Sequence, residues 1–278
     1  MTLFQAIVYA IVHAFAEFLP VGVIAHDRLL PWALGWPMPT PEFAGAIQLG
    51  TLFACLVFFR HDWASMISSV IRLVVLRKRP MTVDERMPMF IALATAITGI
   101  GWTYLREPIS SWFGEPTPVA ITLVAGALLL GFADSFSRRN KGGLDWNWLD
   151  ASVMGVFQIL MLVPGGGRSL GGLSAGLLRN YSREAATKFT LFLAAPILGA
   201  AGIHNLRAIP WGAAAPSTDV SWLTFSIALL VSILASLLAI GGLMKQAQSR
   251  TFRAYATYRC VLAAALGIWI WGSGHGWF

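Results

Sequence analysis

Two apolar stretches of this chain are long enough to enter a lipid bilayer, yet each is interrupted midway by proline, glycine and ionisable side chains. Residues 3–30 carry His13, Glu17, Pro20, Gly22, His26, Asp27 and Arg28, and residues 149–178 carry the string Val163-Pro-Gly-Gly-Gly-Arg168-Ser169. Irregular backbone at membrane depth persists only where protein or a water-filled cavity surrounds it, because hydrocarbon offers free N–H and C=O groups no partner. Both stretches are therefore expected to be re-entrant helical hairpins.

Six further apolar runs, at 42–60, 89–105, 118–136, 188–206, 222–244 and 256–272, have roughly the length that crosses a bilayer. The chain is 56% hydrophobic and only 12% charged, against about 25% charged in soluble domains. The fold class this implies is an all-α integral membrane protein with six transmembrane helices and two re-entrant hairpins. Cys55 and Cys260 sit inside apolar runs without metal-ligand spacing, so neither a disulfide framework nor a zinc site is expected. No Lys or Arg precedes Arg28, so a signal peptide's basic leader is missing and residues 1–30 are read as mature structure.

Each half is then one hairpin followed by three spans, residues 1–136 and residues 149–278. Three crossings are odd, and a re-entrant hairpin returns to its own side, so the second half enters from the opposite face. This is an inverted-topology repeat, whose site is expected near the midplane where the broken segments meet. Residues 61–76 place Trp63, Met66, Ile67, Val70, Ile71 and Val74 at helical spacing opposite Ser65, Ser68, Ser69 and Arg72, which predicts an interfacial amphipathic helix.

Arg72, Arg77, Lys78, Arg79, Arg86, Arg138, Arg139, Lys141, Arg179, Arg183, Lys188, Lys245, Arg250 and Arg253 all fall on one side of this topology. The positive-inside rule makes that side cytoplasmic and puts both termini outside the cytoplasm. The net charge of +7 is thus a topology signal spread over short loops, not a nucleic-acid-binding face. Trp102, Trp112, Trp211, Trp222, Trp269 and Trp271 fall near span ends, as aromatic-belt anchors do.

His13 and Glu17 are four residues apart and share a helix face, where they can meet a common ligand, ion or proton. His26 and Asp27 follow the break; Asp27 either orients an imidazole or faces headgroups with Arg28. In the second break, the amides of Gly165, Gly166 and Gly167, the start of the next helix, the Arg168 guanidinium and the Ser169 hydroxyl form a candidate anion site. Alternatively, these glycines only permit a tight turn, and Gly171, Gly172 and Gly176 allow close helix packing. Asp134, His61 and Asp62 read as cytoplasmic boundary residues, Glu184 as a solvated loop carboxylate, and Gln48 as a residue able to face the site. His204, Asn205 and His275 have no recognisable spacing.

The string Glu17-Phe-Leu-Pro20, His26, Gln48-Leu-Gly50, Arg60-His-Asp62, Pro164-Gly165-x-x-Arg168-Ser169, Ser182-Arg-Glu-Ala185 and Tyr258-Arg259 resembles the bacterial undecaprenyl-pyrophosphate phosphatase family of the bacitracin-resistance type. The resemblance implies paired re-entrant hairpins acting on a polyprenyl pyrophosphate with a divalent cation, at a site open to the periplasm. It also marks departures. The family's Glu-x-x-x-Glu begins here with His13, its paired serines before the histidine are Gly22 and Val23, and its Pro-Gly-x-Ser-Arg-Ser-Gly-Ala-Thr has Gly167 and Gly172 in place of the first Ser and the Thr.

Two readings follow. In hydrolysis, Arg168, Ser169 and the glycine loop bind the pyrophosphate, Glu17 with Asp27 holds Mg or Ca or positions water, His26 is nucleophile or general acid, and His13 is a further base or a nitrogen ligand favouring a transition metal. In translocation, the same pocket moves a polyprenyl phosphate or another anionic phospholipid between leaflets without cleaving it. A homodimer is compatible with either.

Overall fold

The computed structural model describes residues 1–112, 116–207 and 220–273. Trp211 and His275 lie outside the described residues, as does the side chain of Trp112. Among the described residues the chain forms eleven α-helices, one short 3-10 helix and no strand. They are α1 (Leu3–Phe18), α2 (Val23–Leu34), α3 (Pro41–Phe58), α4 (Arg60–Val74), α5 (Val83–Trp112), α6 (Pro116–Phe136), α7 (Trp148–Gln158), α8 (Arg168–Leu178), α9 (Arg183–Leu206), α10 (Trp222–Ser249) and α11 (Arg253–Ser273). Six of these, α3, α5, α6, α9, α10 and α11, are long and apolar enough to cross a membrane, and the chain is a multi-pass membrane protein.

The remaining apolar helices form two hairpins. In the first, α1 packs on α2, and Trp36 beyond α2 returns to Phe4 and Tyr9 of α1, with ring centroids 6.0 and 6.4 Å apart. In the second, α7 runs into the 3-10 turn Ile159–Leu162, reverses at Val163–Gly167 and returns as α8. At 11 or 12 residues each, α2, α7 and α8 reach about 17 Å, well short of a hydrocarbon core of about 30 Å. Thr2 starts α1 with a capping box completed by Gln5, and Asn147 caps α7 through Asp150 N.

Packing between elements follows the exchange of halves: α1 lies on α10 as α7 lies on α5, while α3 meets α9 and α6 meets α11 across the middle. Burial departs from that symmetry. All but the last residue of α8 is buried, whereas α2 buries only Ala25 and Pro31. Protein therefore encloses the returning arm α8 of the second hairpin, whereas its counterpart α2 lies outward. In α4, Met66 and Ser69 face the protein while Ile67, Val70, Ile71 and Val74 stay exposed, the unpaired apolar face an interfacial helix presents to lipid.

A polar cluster closes the base of the second hairpin. Asp150, fully buried at the start of α7, accepts hydrogen bonds from Arg179, from Tyr181 at 2.6 Å, from Asn147 at 2.8 Å and from Lys141 at 3.1 Å. Burial pushes its carboxyl up, but the bonds from Tyr181, Arg179 and Lys141 outweigh this and hold it below the usual carboxylate range. A depressed folded value stabilises the protein above the unfolded value, near pH 4, and that contribution disappears as pH falls through the folded one. Asp150→Asn is expected to lose about 2 kcal/mol at neutral pH and to show a shallower loss of melting temperature on acidification than the parent, measured by thermal unfolding in detergent.

Asp134, read as a boundary residue at the end of its span, is also a tie between elements. It is buried, pairs with Arg183 and Arg139, and accepts the Phe252 amide at 3.1 Å, tying α6 to α9 and to the start of α11. Gln48 is likewise engaged, accepting from Asn205 at 3.0 Å between α3 and α9. Asp62 pairs with Lys188 at 2.7 Å, and Glu184 accepts from Gln248 at 3.1 Å.

Candidate functional site

The two breaks touch. Gly22 has φ +95°, open to glycine but strained for other residues, and a Cβ there would lie 3.2 Å from the Gly165 carbonyl oxygen. Gly165 and Gly167 also have positive φ, so the contact is glycine on both sides. A side chain on Gly22 or Gly167 would crowd the opposing backbone, so the close approach of the two reversals relies on glycine.

Across this joint Arg168, at the first turn of α8, forms an ion pair with Glu17 of α1, and both are buried, at 4% and 8% side-chain exposure. Ser169 donates its hydroxyl to the Glu17 carbonyl at 2.9 Å. The serine is thereby a tie between hairpins, with its proton engaged. His13, one turn before Glu17, donates from Nδ1 to the two Asp27 carboxylate oxygens, 3.0 and 3.1 Å away, and its Nε2 is buried without a hydrogen-bond partner. Arg168 Nε is likewise buried and unpartnered. Such orphaned polar atoms deep in a joint are what a bound polar ligand would satisfy.

Asp27 therefore orients His13, not its neighbour His26. His26 is held differently: its Nδ1 lies 2.8 Å from the Gly22 carbonyl and its Nε2 lies 2.6 Å from the Tyr258 hydroxyl of α11. A carbonyl can only accept, so Nδ1 carries the proton and Nε2 offers a lone pair to Tyr258 O–H. The two rings are nearly parallel, 15° apart with centroids at 5.7 Å. Tyr258 is 43% exposed. The joint thus has a buried charged floor of Arg168, Glu17 and His13, and a more open rim of Asp27, His26 and Tyr258.

The glycine loop is used less for ligand and more for shape than its composition suggests. Gly166 N–H donates to Val163 O at 2.7 Å and Gly167 N–H to Leu160 O at 2.9 Å, so both amides are spent inside the turn. The N-terminus of α8 has Gly167 as its cap, with no side-chain cap bond. The amides opening α8, including those of Arg168 and Ser169, are the ones placed to meet an anion.

Arg259 is the residue whose role sequence reasoning left open. Fully buried on α11, it donates to the carbonyls of Pro20 in the first break, Gly165 and Gly166 in the second, and Thr122 and Leu123 on α6. One guanidinium fork thus clamps both reversals. The signal was present: an arginine within an apolar span demands partners. Thr122 adds a bond to the Pro164 carbonyl. For a cation, the joint offers oxygen donors from Glu17 and Asp27, each already paired with a protein cation or imidazole, and no group of three or more His, Cys, Asp or Glu stands ready among the described residues.

Comparison with known proteins gives one consistent answer. The family described as "Bacitracin resistance protein BacA" matches over residues 6–265. The chain is similar to the "Undecaprenyl-diphosphatase" of Chlorobaculum parvum, with 32% identity over 99% of both chains. It is similar to that of Nocardioides sp., with 33% identity over 94% of both, and to that of Myxococcus xanthus, with 30% identity over 96% of this chain and 88% of the relative.

Proposed function

This chain belongs to the bacitracin resistance protein BacA family, and we propose that it hydrolyses undecaprenyl pyrophosphate, or a closely related polyprenyl pyrophosphate, at the joint of its two hairpins. The single observation carrying this reading is the buried Arg168–Glu17 pair flanked by the unpartnered His13 Nε2 and Arg168 Nε, a charged and under-satisfied floor inside an apolar protein. A diphosphate at the mouth of α8 would accept from the first-turn amides and from Arg168, where the guanidinium stabilises the charge that builds on the transferring phosphoryl group.

His26 is the candidate nucleophile. Its Nδ1–H is fixed on Gly22 O, so Nε2 keeps its lone pair, and Tyr258 marks the direction in which it points. Attack by Nε2 on the terminal phosphorus would form an N–P bond and break the P–O bond to the bridging oxygen, releasing polyprenyl monophosphate. Water would then cleave the N–P bond and yield inorganic phosphate, with the neighbouring carboxylates accepting its proton. This assignment gives the chain a nucleophile although Gly22 and Val23 stand where the family pattern has serines. A divalent cation, Mg or Ca, would be held by Glu17 and Asp27 in company with the diphosphate oxygens, and would neutralise phosphate charge. His13, backed by Asp27, serves as a base or nitrogen donor beside it.

The site is proposed to open to the periplasm of the inner membrane, with both termini on that side, as the basic residues argue. Translocation without cleavage would require the hairpins to part during each cycle, and the bonds of Arg259, Ser169 and Arg168 across the joint oppose that. His26→Ala is expected to lower phosphate release from a polyprenyl diphosphate by about 10³-fold or more while leaving the melting temperature near that of the parent. A variant retaining a tenth of the parental rate would remove His26 from the nucleophile role.

A further inference from the structure

In a fold built twice, exchanging the halves turns the contact between α3 and α10 into the contact between α9 and α5. The first contact is closed: Ser232 of α10 donates to the Ile47 carbonyl at 2.7 Å, and a Cβ on Gly50 would come within 2.8 Å of Ser232. The second is parted. Between α5 and α9 lies a cavity of ≈ 570 Å³ with a mainly apolar wall that includes Gly99 and Ala200 and extends to Met161 in the 3-10 turn. Towards the C-terminal ends of both helices it is lined by Arg106 and His204, and the Arg106 guanidinium lies 4.9 Å over the ring of Trp102. An apolar slot between two membrane-crossing helices with a cation and an imidazole at one end matches a lipid that carries a hydrocarbon chain below and a phosphate above.

We propose that this groove is a second lipid site, distinct from the hairpin joint, which holds one polyprenyl monophosphate with its phosphate at Arg106 and His204 and its chain along α5 and α9. The assignment to a single-chain lipid phosphate rests on the diphosphatase reading above, which makes that lipid the product, and on a slot bounded, among the described residues, by two helices and the 3-10 turn. Met161 belongs to the turn that leads into Pro164–Arg168, so a chain lying in the groove rests against the segment that presents Arg168. A product held there leaves the joint free for the next diphosphate.

The test uses the full-length protein in detergent and farnesyl monophosphate as the probe, with bound probe per chain counted at saturation by native mass spectrometry. Two probes are expected on the parent. Gly99→Leu should bind one: a Cβ at Gly99 meets nothing within 4 Å, so the longer side chain occupies the groove without displacing neighbours. Arg106→Gln, an exposed position that leaves packing intact, should weaken the second site by about tenfold, the scale of one charge-assisted hydrogen bond. A parent that binds one probe, or a Gly99→Leu protein that still binds two, overturns the proposal. Displacement of the second probe by equimolar phosphatidylglycerol would also overturn it, by removing the preference for a single-chain lipid. Phosphate release from farnesyl diphosphate is followed in parallel. Loss of release with two probes bound sinks the hydrolytic reading alone, whereas normal release with one probe bound sinks the groove alone.

Discussion

Arg168→Ala is expected to reduce phosphate release from a polyprenyl diphosphate by at least about 10³-fold, because one aimed donor in a water-poor site contributes that much to a phosphoryl transition state. The same change leaves the Glu17 carboxylate buried without its cation, at a cost of about 3–5 kcal/mol in stability. The two effects separate in a double variant. Arg168→Ala with Glu17→Gln should regain most of the lost melting temperature and none of the activity. Arg168→Lys keeps the charge but not the planar fork, and should fall between parent and alanine in rate. Recovery of turnover in the double variant would mean that Arg168 acts only by holding α8 against α1.

The largest structural effect is expected at Arg259. Arg259→Met conserves much of the apolar stem and removes the guanidinium bonds to the carbonyls of Pro20, Thr122, Leu123, Gly165 and Gly166, of which those of Pro20, Gly165 and Gly166 lie in the two reversals. Each buried acceptor left unmatched costs about 1–3 kcal/mol, so a loss of about 4 kcal/mol or more, seen as a fall of about 10 °C in melting temperature, is anticipated. Gly126→Val gives an independent approach, since a Cβ there would sit 2.0 Å from Arg259 Nη2 and must displace the guanidinium. If both variants melted with the parent, the clamp would carry no weight in holding the reversals together.

Much of the architecture was legible before coordinates because membrane solvent leaves few options. Uninterrupted apolar runs became α3, α5, α6, α9, α10 and α11, and the interrupted ones became hairpins, since proline and glycine cannot continue a helix and hydrocarbon cannot solvate what they free. The meeting of Glu17 with Arg168 was legible too, as two intramembrane charges of opposite sign in equivalent breaks. The detail of the site was not. Sequence alone leaves Asp27 between orienting an imidazole and facing headgroups, because only the fold shows that it leaves α2 towards the imidazole of His13 on α1 while His26 turns to Gly22 O. The three-glycine run suggested free amides, yet a turn that tight uses two of them to close itself. Asp134 reads as a boundary residue because it ends an apolar run, but its partners were not legible, since Arg183 and the Phe252 amide arrive from segments far away in sequence.

Because α1 lies against α10 and α7 against α5, each half completes its hairpin only with a span made by the other. The first hairpin therefore cannot settle while the ribosome is still making the second half, and must wait at the membrane until α10 arrives. Neither half should accumulate when produced alone, while the two expressed as separate chains should rescue each other. Resistance to proteolysis should then first appear only once α10 has been made.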